Sequence, residues 1–279
     1  MPVMKLYHHG LTAGVPPTMN NHLRAKRGDV GGWSASSTRS NTRFLYSVRE
    51  NDLTGHGLAL TLTLKHCPVD HEEWHRMRRA FFERLRRMGM IRAHWVTEWQ
   101  RRGVPHLHCA VWFPNHTFIE AYTRATDHWC VVARDCGAGL RGQYALPISD
   151  SVGWFKYLSK HASRGVSHYQ RNPENIPQGW KKTGRMWGYL GDWPTDDAMQ
   201  MSVSGAAFYA FRRIVRARTI AEARASGDRR RLRYVRGMLT CHDKALSSVR
   251  GVSEWIPLDT QLQILAYLAS MGHEVEQVG

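Results

Sequence analysis

The sequence predicts an α+β fold built on an antiparallel sheet, and three stretches carry that prediction. Leu58-Ala-Leu-Thr-Leu-Thr-Leu64 alternates strictly, with leucines on one face and Ala59, Thr61 and Thr63 on the other, which is the period of a strand. Asp70-x-x-Glu73 is a capping box that opens an amphipathic helix. In it Trp74, Met77, Phe81, Leu85 and Met88 recur on one face before Gly89 stops the helix. Residues 92–99 and 104–113 then read as a hairpin. Pairing Glu98 opposite His106 leaves the loop Arg101-Arg102-Gly103, with glycine where a positive φ is wanted.

The remaining elements follow in order. Residues 1–42, rich in Gly, Ser, Asn, Thr and Arg, are expected to be a flexible basic arm that orders only on DNA. Residues 44–48 read as an edge strand. A second capping box, Thr117-x-x-Glu120, opens a helix running to about Asp135. A short strand near 143–148 precedes a helix over 151–163. From Leu58 onward the order is βαββαβ, the split unit of a ferredoxin-like antiparallel sheet.

Side-chain parity turns Leu107, Cys109, Val111 and Phe113 toward helices on one face. Glu98, His106 and His108 look out from the opposite face, left open for chemistry. The domain so defined spans 43–200, with a core at 43–165 and a Gly-, Pro- and Trp-rich extension at 166–200 that wraps it as ordered loops. Residues 201–279 read as an arginine-rich helical C-terminal region, with helices over 206–225 and 229–247. Those arginines suit a solvated face and a DNA-clamping appendage equally.

Residues at i and i+2 of a strand point the same way, so His106 and His108 can share one ion, with Glu98 about 5 Å away across the pair. A lone His-x-His pair is more often structural. A carboxylate of matching parity favours a solvent-exposed divalent metal (Mg²⁺, Mn²⁺ or Zn²⁺) acting as a Lewis acid on a phosphoryl group. On the 151–163 helix, Val152, Phe155, Leu158 and Ala162 form the buried stripe, and Tyr157 points about 150° away from it. Lys160 and His161 share its face. A tyrosine beside a lysine has a nucleophile's surroundings, because the cation favours phenolate; the plain alternative is a surface ring.

Composition narrows the partner. Lysine and arginine number 39 against 23 acids, a net charge of +16 that points to a polyanion, most often nucleic acid. Eleven Trp and ten Tyr offer stacking platforms for unpaired bases, although most such rings belong to a core. Five cysteines, Cys67, Cys109, Cys130, Cys136 and Cys241, are odd in number and lack C-x-x-C spacing. This argues against a disulfide scaffold and a cysteine zinc site, and for a reducing compartment. With neither a secretory h-region nor a spanning apolar run, the chain is expected to be cytoplasmic, with no membrane partner.

Together the motifs Leu60-Thr61-Leu62-Thr63, His106-Leu107-His108 and Tyr157-Leu158-Ser159-Lys160 resemble the HUH endonuclease superfamily, whose members initiate rolling-circle replication. The resemblance covers residues 43–165. More narrowly, Gly153-Trp-Phe-Lys-Tyr-Leu-Ser-Lys-His161 and Gly184-Arg-Met-Trp-Gly-Tyr-Leu-Gly-Asp-Trp-Pro194 resemble the initiators of filamentous bacteriophages. The resemblance implies an HUH-type ferredoxin-like sheet and a Mg²⁺ or Mn²⁺ ion on Glu98, His106 and His108. It implies that Tyr157 nicks one strand of single-stranded or supercoiled origin DNA, leaving a 5′-phosphotyrosyl bond and a 3′-OH that primes a host polymerase. Lys160 would position or charge-stabilise the phenolate or the phosphate. Relatives with two tyrosines carry them four apart; Gly153 and His161 occupy those places here, so this is a one-tyrosine enzyme. No G-x-x-x-x-G-K-[ST] motif is present, so strand separation falls to a host helicase or to supercoiling. Thr61 and Thr63 are explained equally by a part in the site and by β-propensity. A transposase, a mobilisation relaxase and a non-catalytic DNA-binding regulator are the alternatives.

Overall fold

A computed structural model describes residues 1–14, 31–163, 170, 172–177, 179–236 and 252–278, with only the backbone described at 35, 160–163, 173, 234, 236 and 252. In chain order come β1 (Val3–Leu6), β2 (Gly10–Gly14), α1 (Ala35–Ser47), β3 (His56–Leu62), α2 (His71–Arg87), β4 (Arg92–Trp99) and β5 (Pro105–Phe113). They are followed by α3 (Phe118–Val132), β6 (Tyr144–Pro147), α4 (Ser151–Ser163), β7 (Trp187–Gly191) and β8 (Met199–Val203). The last are α5 (Gly205–Ala225), α6 (Arg229–Arg236), β9 (Val252–Trp255), α7 (Leu258–Ser270) and β10 (Val275–Val278). Two compact units result: residues 25–45 with 49–194, and residues 1–24 and 46–48 with 195–279.

The first unit carries a five-stranded antiparallel sheet ordered β6-β3-β5-β4-β7. Its first four strands have the 4-1-3-2 order of a ferredoxin-like sheet, as the βαββαβ pattern implies. The register places Glu98 against His106 and Thr61 against His108. Gln100 N–H donates to the Val104 carbonyl at 2.9 Å, and Gly103 sits at φ +73°, so the loop is the three-residue turn expected. Arg102 ties that turn to the Leu64 and Lys65 carbonyls beyond β3. Asp70 caps α2 by accepting from Glu73 N–H, while the Glu73 carboxylate accepts from Val69 N–H. Thr117 and Glu120 form a complete capping box on α3.

Leu58, Leu60, Leu62, Leu107, Cys109 and Val111 form one buried face of the sheet. Against this face α2 sends Trp74, whose Nε1–H donates to Thr97 Oγ1 at 3.3 Å, and α3 sends Trp129, 5.9 Å from the Trp74 ring. The opposite face is not open. Asn41 and Phe44 of α1 meet His94, and Tyr157 of α4 meets His108. The unit therefore has helices on both faces, and all of β4 and β5 is buried.

Four expectations are corrected. Residues 44–48 are not an edge strand, because residues 44–47 close α1. Its inward stripe Thr38, Asn41, Thr42 and Leu45 has helical spacing, but three of the four are polar and hide the pattern. Thr42 satisfies its hydroxyl by donating to the Thr38 carbonyl at 3.0 Å. The 166–200 extension is not all loop: β7 pairs with β4 as the sheet's fifth strand. Gly188 suits it because a Cβ there would lie 2.8 Å from the Trp95 ring.

Nor are residues 1–14 an unstructured arm, since β1 and β2 form a hairpin in a second antiparallel sheet, ordered β10-β8-β1-β2-β9. That sheet makes the C-terminal region α+β rather than helical. Met4, Leu6, Leu11 and Ala13 alternate inward to meet Phe208 and Phe211 of α5 and Leu265 and Leu268 of α7. The expected 229–247 helix is described to Arg236. Residues 15–30 of the expected arm, Tyr169, Cys241 and residues 237–247 lie outside the described residues.

Candidate functional site

The Glu98-His106 pairing and the i, i+2 spacing of the histidines converge on one point beneath α4. Glu98 Oε2 lies 3.8 Å from His106 Nε2 and 3.5 Å from His108 Nε2, and the three ligand atoms lie within 4.8 Å of one another. The solvent-exposed site expected from the open sheet face is corrected: Glu98 is 0% exposed and both histidines are buried. The physical cause is α4, which brings Tyr157 edge-on to His108 with ring centroids 6.0 Å apart and planes at 83°. Tyr157 remains 41% exposed, so its ring lies between solvent and the buried cluster.

The cluster suits a divalent ion in its donor chemistry. A carboxylate and two imidazole nitrogens form a mixed O/N set with room for substrate oxygens. Among the described residues His106 Nε2 is buried with no hydrogen-bond partner, an arrangement that costs about 1–3 kcal/mol unless something meets it. Thr61 Oγ1 makes a 2.9 Å hydrogen bond with His108 Nδ1. With Nδ1–H donating to the hydroxyl, Nε2 carries the lone pair that a metal needs. Thr63 does not join this arrangement, because its hydroxyl donates to the Gly142 carbonyl at 2.7 Å.

Two neighbours were not singled out as site residues. Trp154 stacks on Tyr157 at 5.2 Å with planes 26° apart; their i, i+3 spacing on α4 was the available signal. His94 lies on the same sheet face, four residues before Glu98, fully buried, and its Nε2–H donates to Asn41 Oδ1 at 2.8 Å. Burial pushes its imidazole down to about 3, so it is neutral at physiological pH. Phe44 stacks between His94 and the exposed Tyr189, at 5.6 and 4.3 Å. Lys160 stands on the α4 backbone three residues after Tyr157, and its side chain and that of His161 lie outside the described residues. Tyr144 is exposed on β6, where it pairs with Thr61 across β3 and β6.

An antiparallel 4-1-3-2 sheet with the His-Leu-His strand at its centre and the tyrosine helix over it is the initiator architecture that the motifs resemble. The comparisons agree. Residues 57–163 match the family model of the replication-associated protein ORF2/G2P. The chain is 52% identical over 282 residues to a putative replication protein of Xylella fastidiosa strain 9a5c, covering 99% of each. It is 49% identical over 277 residues to the replication-associated protein G2P of Pseudomonas phage Pf3, covering 98% of this chain and 99% of that one. No solved structure matches. The chain belongs to the replication-associated protein ORF2/G2P family, which bears out the resemblance to filamentous-phage initiators. Among the described residues no helix is long and apolar enough to cross a membrane.

Proposed function

We propose that this protein initiates replication by nicking one DNA strand through Tyr157 and later rejoining the displaced strand. The observation that carries the reading is the seat of the Tyr157 ring, edge-on above the buried cluster of Glu98, His106 and His108. The Tyr157 oxygen attacks phosphorus, the bond from phosphorus to the 3′ oxygen breaks, and a 5′-phosphotyrosyl ester and a 3′-OH result. The ester conserves the phosphodiester energy, so attack by a 3′-OH reverses the step and releases Tyr157.

Trp154 holds the ring in place by stacking, and Lys160 stabilises the phenolate or the phosphate. Glu98, His106 and His108 would hold a Mg²⁺ or Mn²⁺ ion, which supplies Lewis-acid stabilisation of charge on the phosphate oxygens. Buried side chains around the cluster exclude water and so strengthen these electrostatic interactions. Single-stranded or supercoiled origin DNA is the substrate, and the 3′-OH primes a host polymerase while a host helicase or supercoiling separates the strands.

The test is incubation with supercoiled DNA carrying the replicon and Mn²⁺ or Mg²⁺. The wild type is expected to give nicked circles, and Tyr157→Phe none while still binding DNA. Undiminished nicking by Tyr157→Phe would overturn the nucleophile assignment. Mn²⁺ binding unchanged by His106→Ala with His108→Ala would overturn the ligand set.

A further inference from the structure

On the other side of the same sheet, the outer surface of α2 forms a groove of about 670 Å³. Arg76, Arg79 and Arg86 stand exposed along it, while Arg78 is 9% exposed at its base. The Arg78 guanidinium lies 3.7 Å over the Trp95 ring and donates to the Arg185 carbonyl at 3.3 Å. Burial and the neighbouring Arg185 push it down to about 9, so it keeps its charge at neutral pH. Both carboxylates in the groove are engaged: Glu83 with Arg86 and Glu72 with His71, each at 2.7 Å. Among the described residues none of Arg76, Arg78 and Arg79 has a carboxylate partner. Burying one cation, Arg78, and clustering others beside it with no directly paired carboxylate is costly unless an anion compensates them.

The ridge continues into an adjoining hollow of about 500 Å³ lined by Arg84 and Arg87. From Arg76 to Arg87 the helix rises about 16 Å, long enough to meet several phosphates of one backbone. Trp95 and Phe82 in the groove are buried, and the half-buried His75 ring is held at the Thr183 carbonyl, 3.1 Å from Nε2, and edge-on to His71. The groove therefore offers no open aromatic platform to an unstacked base. Binders of single strands rely on such platforms, whereas a row of arginines without them reads phosphate alone. Trp95 belongs to the sheet face opposite Glu98, so this groove is separate from the strand at Tyr157.

We propose that the α2 arginine groove holds the sugar-phosphate backbone of duplex DNA flanking the nick site, an inference that rests on the reading of the chain as a DNA-acting initiator. The test measures binding of a labelled duplex by full-length protein at salt concentrations from about 50 to 200 mM. Arg76→Ala with Arg79→Ala is expected to lower the log–log salt slope by about 1.8, two contacts at about 0.9 each, and to weaken binding roughly tenfold or more. Glu83→Gln, which frees Arg86, is expected to tighten binding. Binding of a single-stranded oligonucleotide spanning the nick, and its cleavage, should be unchanged by the double substitution. An unaltered slope and affinity for duplex would overturn the proposal, and so would an equal loss for the single strand. Failure of the wild type to nick would count against the proposed function instead, with the duplex slope still deciding the groove.

Discussion

Replacing Thr61 by valine removes a hydroxyl and keeps the shape. Thr61 faces His108 across the β3–β5 pair, with its Oγ1 2.9 Å from Nδ1. With Nδ1–H donating to this hydroxyl, the Nε2 lone pair can serve a cation shared with Glu98 Oε2, 3.5 Å away. Loss of such an orienting partner typically weakens metal binding about 10- to 100-fold, or roughly 1.4 to 2.7 kcal/mol. The effect on folding should stay near one net hydrogen bond, about 1 kcal/mol. Isothermal titration with Mn²⁺, beside a thermal melt, separates the two quantities. Thr61→Val is expected to bind Mn²⁺ at least tenfold more weakly with a small change in Tm, and Thr61→Ser to restore affinity. Affinity within twofold of wild type for Thr61→Val would refute the orientation argument.

Three further outcomes are expected. Trp154→Ala removes a stacking contact worth about 0.5–1.5 kcal/mol, so adduct formation should slow about 2- to 10-fold with Mn²⁺ affinity unchanged, read by single-turnover cleavage. His94 is held neutral in the fold and protonates readily when unfolded. Stability should therefore be fully present above pH 6.5 and fall toward pH 3 by up to about 1.4 kcal/mol per unit, a slope that His94→Gln flattens in urea titrations. Gly191, at φ +77°, has the Ile91 carbonyl where a Cβ would go. Gly191→Ala should cost at least about 2 kcal/mol and several degrees of Tm, whereas Gly139→Ala, with nothing within 4 Å, should leave the melt unchanged.

What the sequence revealed, and what it concealed, follows from the range of the interactions involved. The Glu98-His106 register was legible because hairpin chemistry at Gly103 is local, and Ser151–Ser163 was legible from its apolar stripe. α1 was not, since its inward stripe is largely polar and the buried Asn41 finds its hydrogen-bond partner in His94, 53 residues away in sequence. β1 and β2 were missed for a different reason: their alternation is four or five residues long, and their partners β8 and β9 lie about 190 and 240 residues away in sequence. In β7 the glycines that argue against a strand answer the Trp95 ring and the Ile91 backbone. Parity correctly put Glu98, His106 and His108 on one face. Parity alone gave no sign that this face would be covered; the mark lay in Val96, Ala110 and Trp112, apolar residues on the same face, because a strand buried on both sides loses the polar alternation of a half-exposed sheet.

The most direct test of the account is the position of the covalent bond. Protein that has nicked a 3′-labelled origin strand is denatured, digested with nuclease and trypsin, and its nucleotide-bearing peptide sequenced by mass spectrometry. The expected result is a phosphodiester-linked nucleotide on Tyr157, joined through its 5′ phosphate. The same linkage on Tyr144 or Tyr189, or nicking with no protein-linked DNA, would contradict the proposed mechanism.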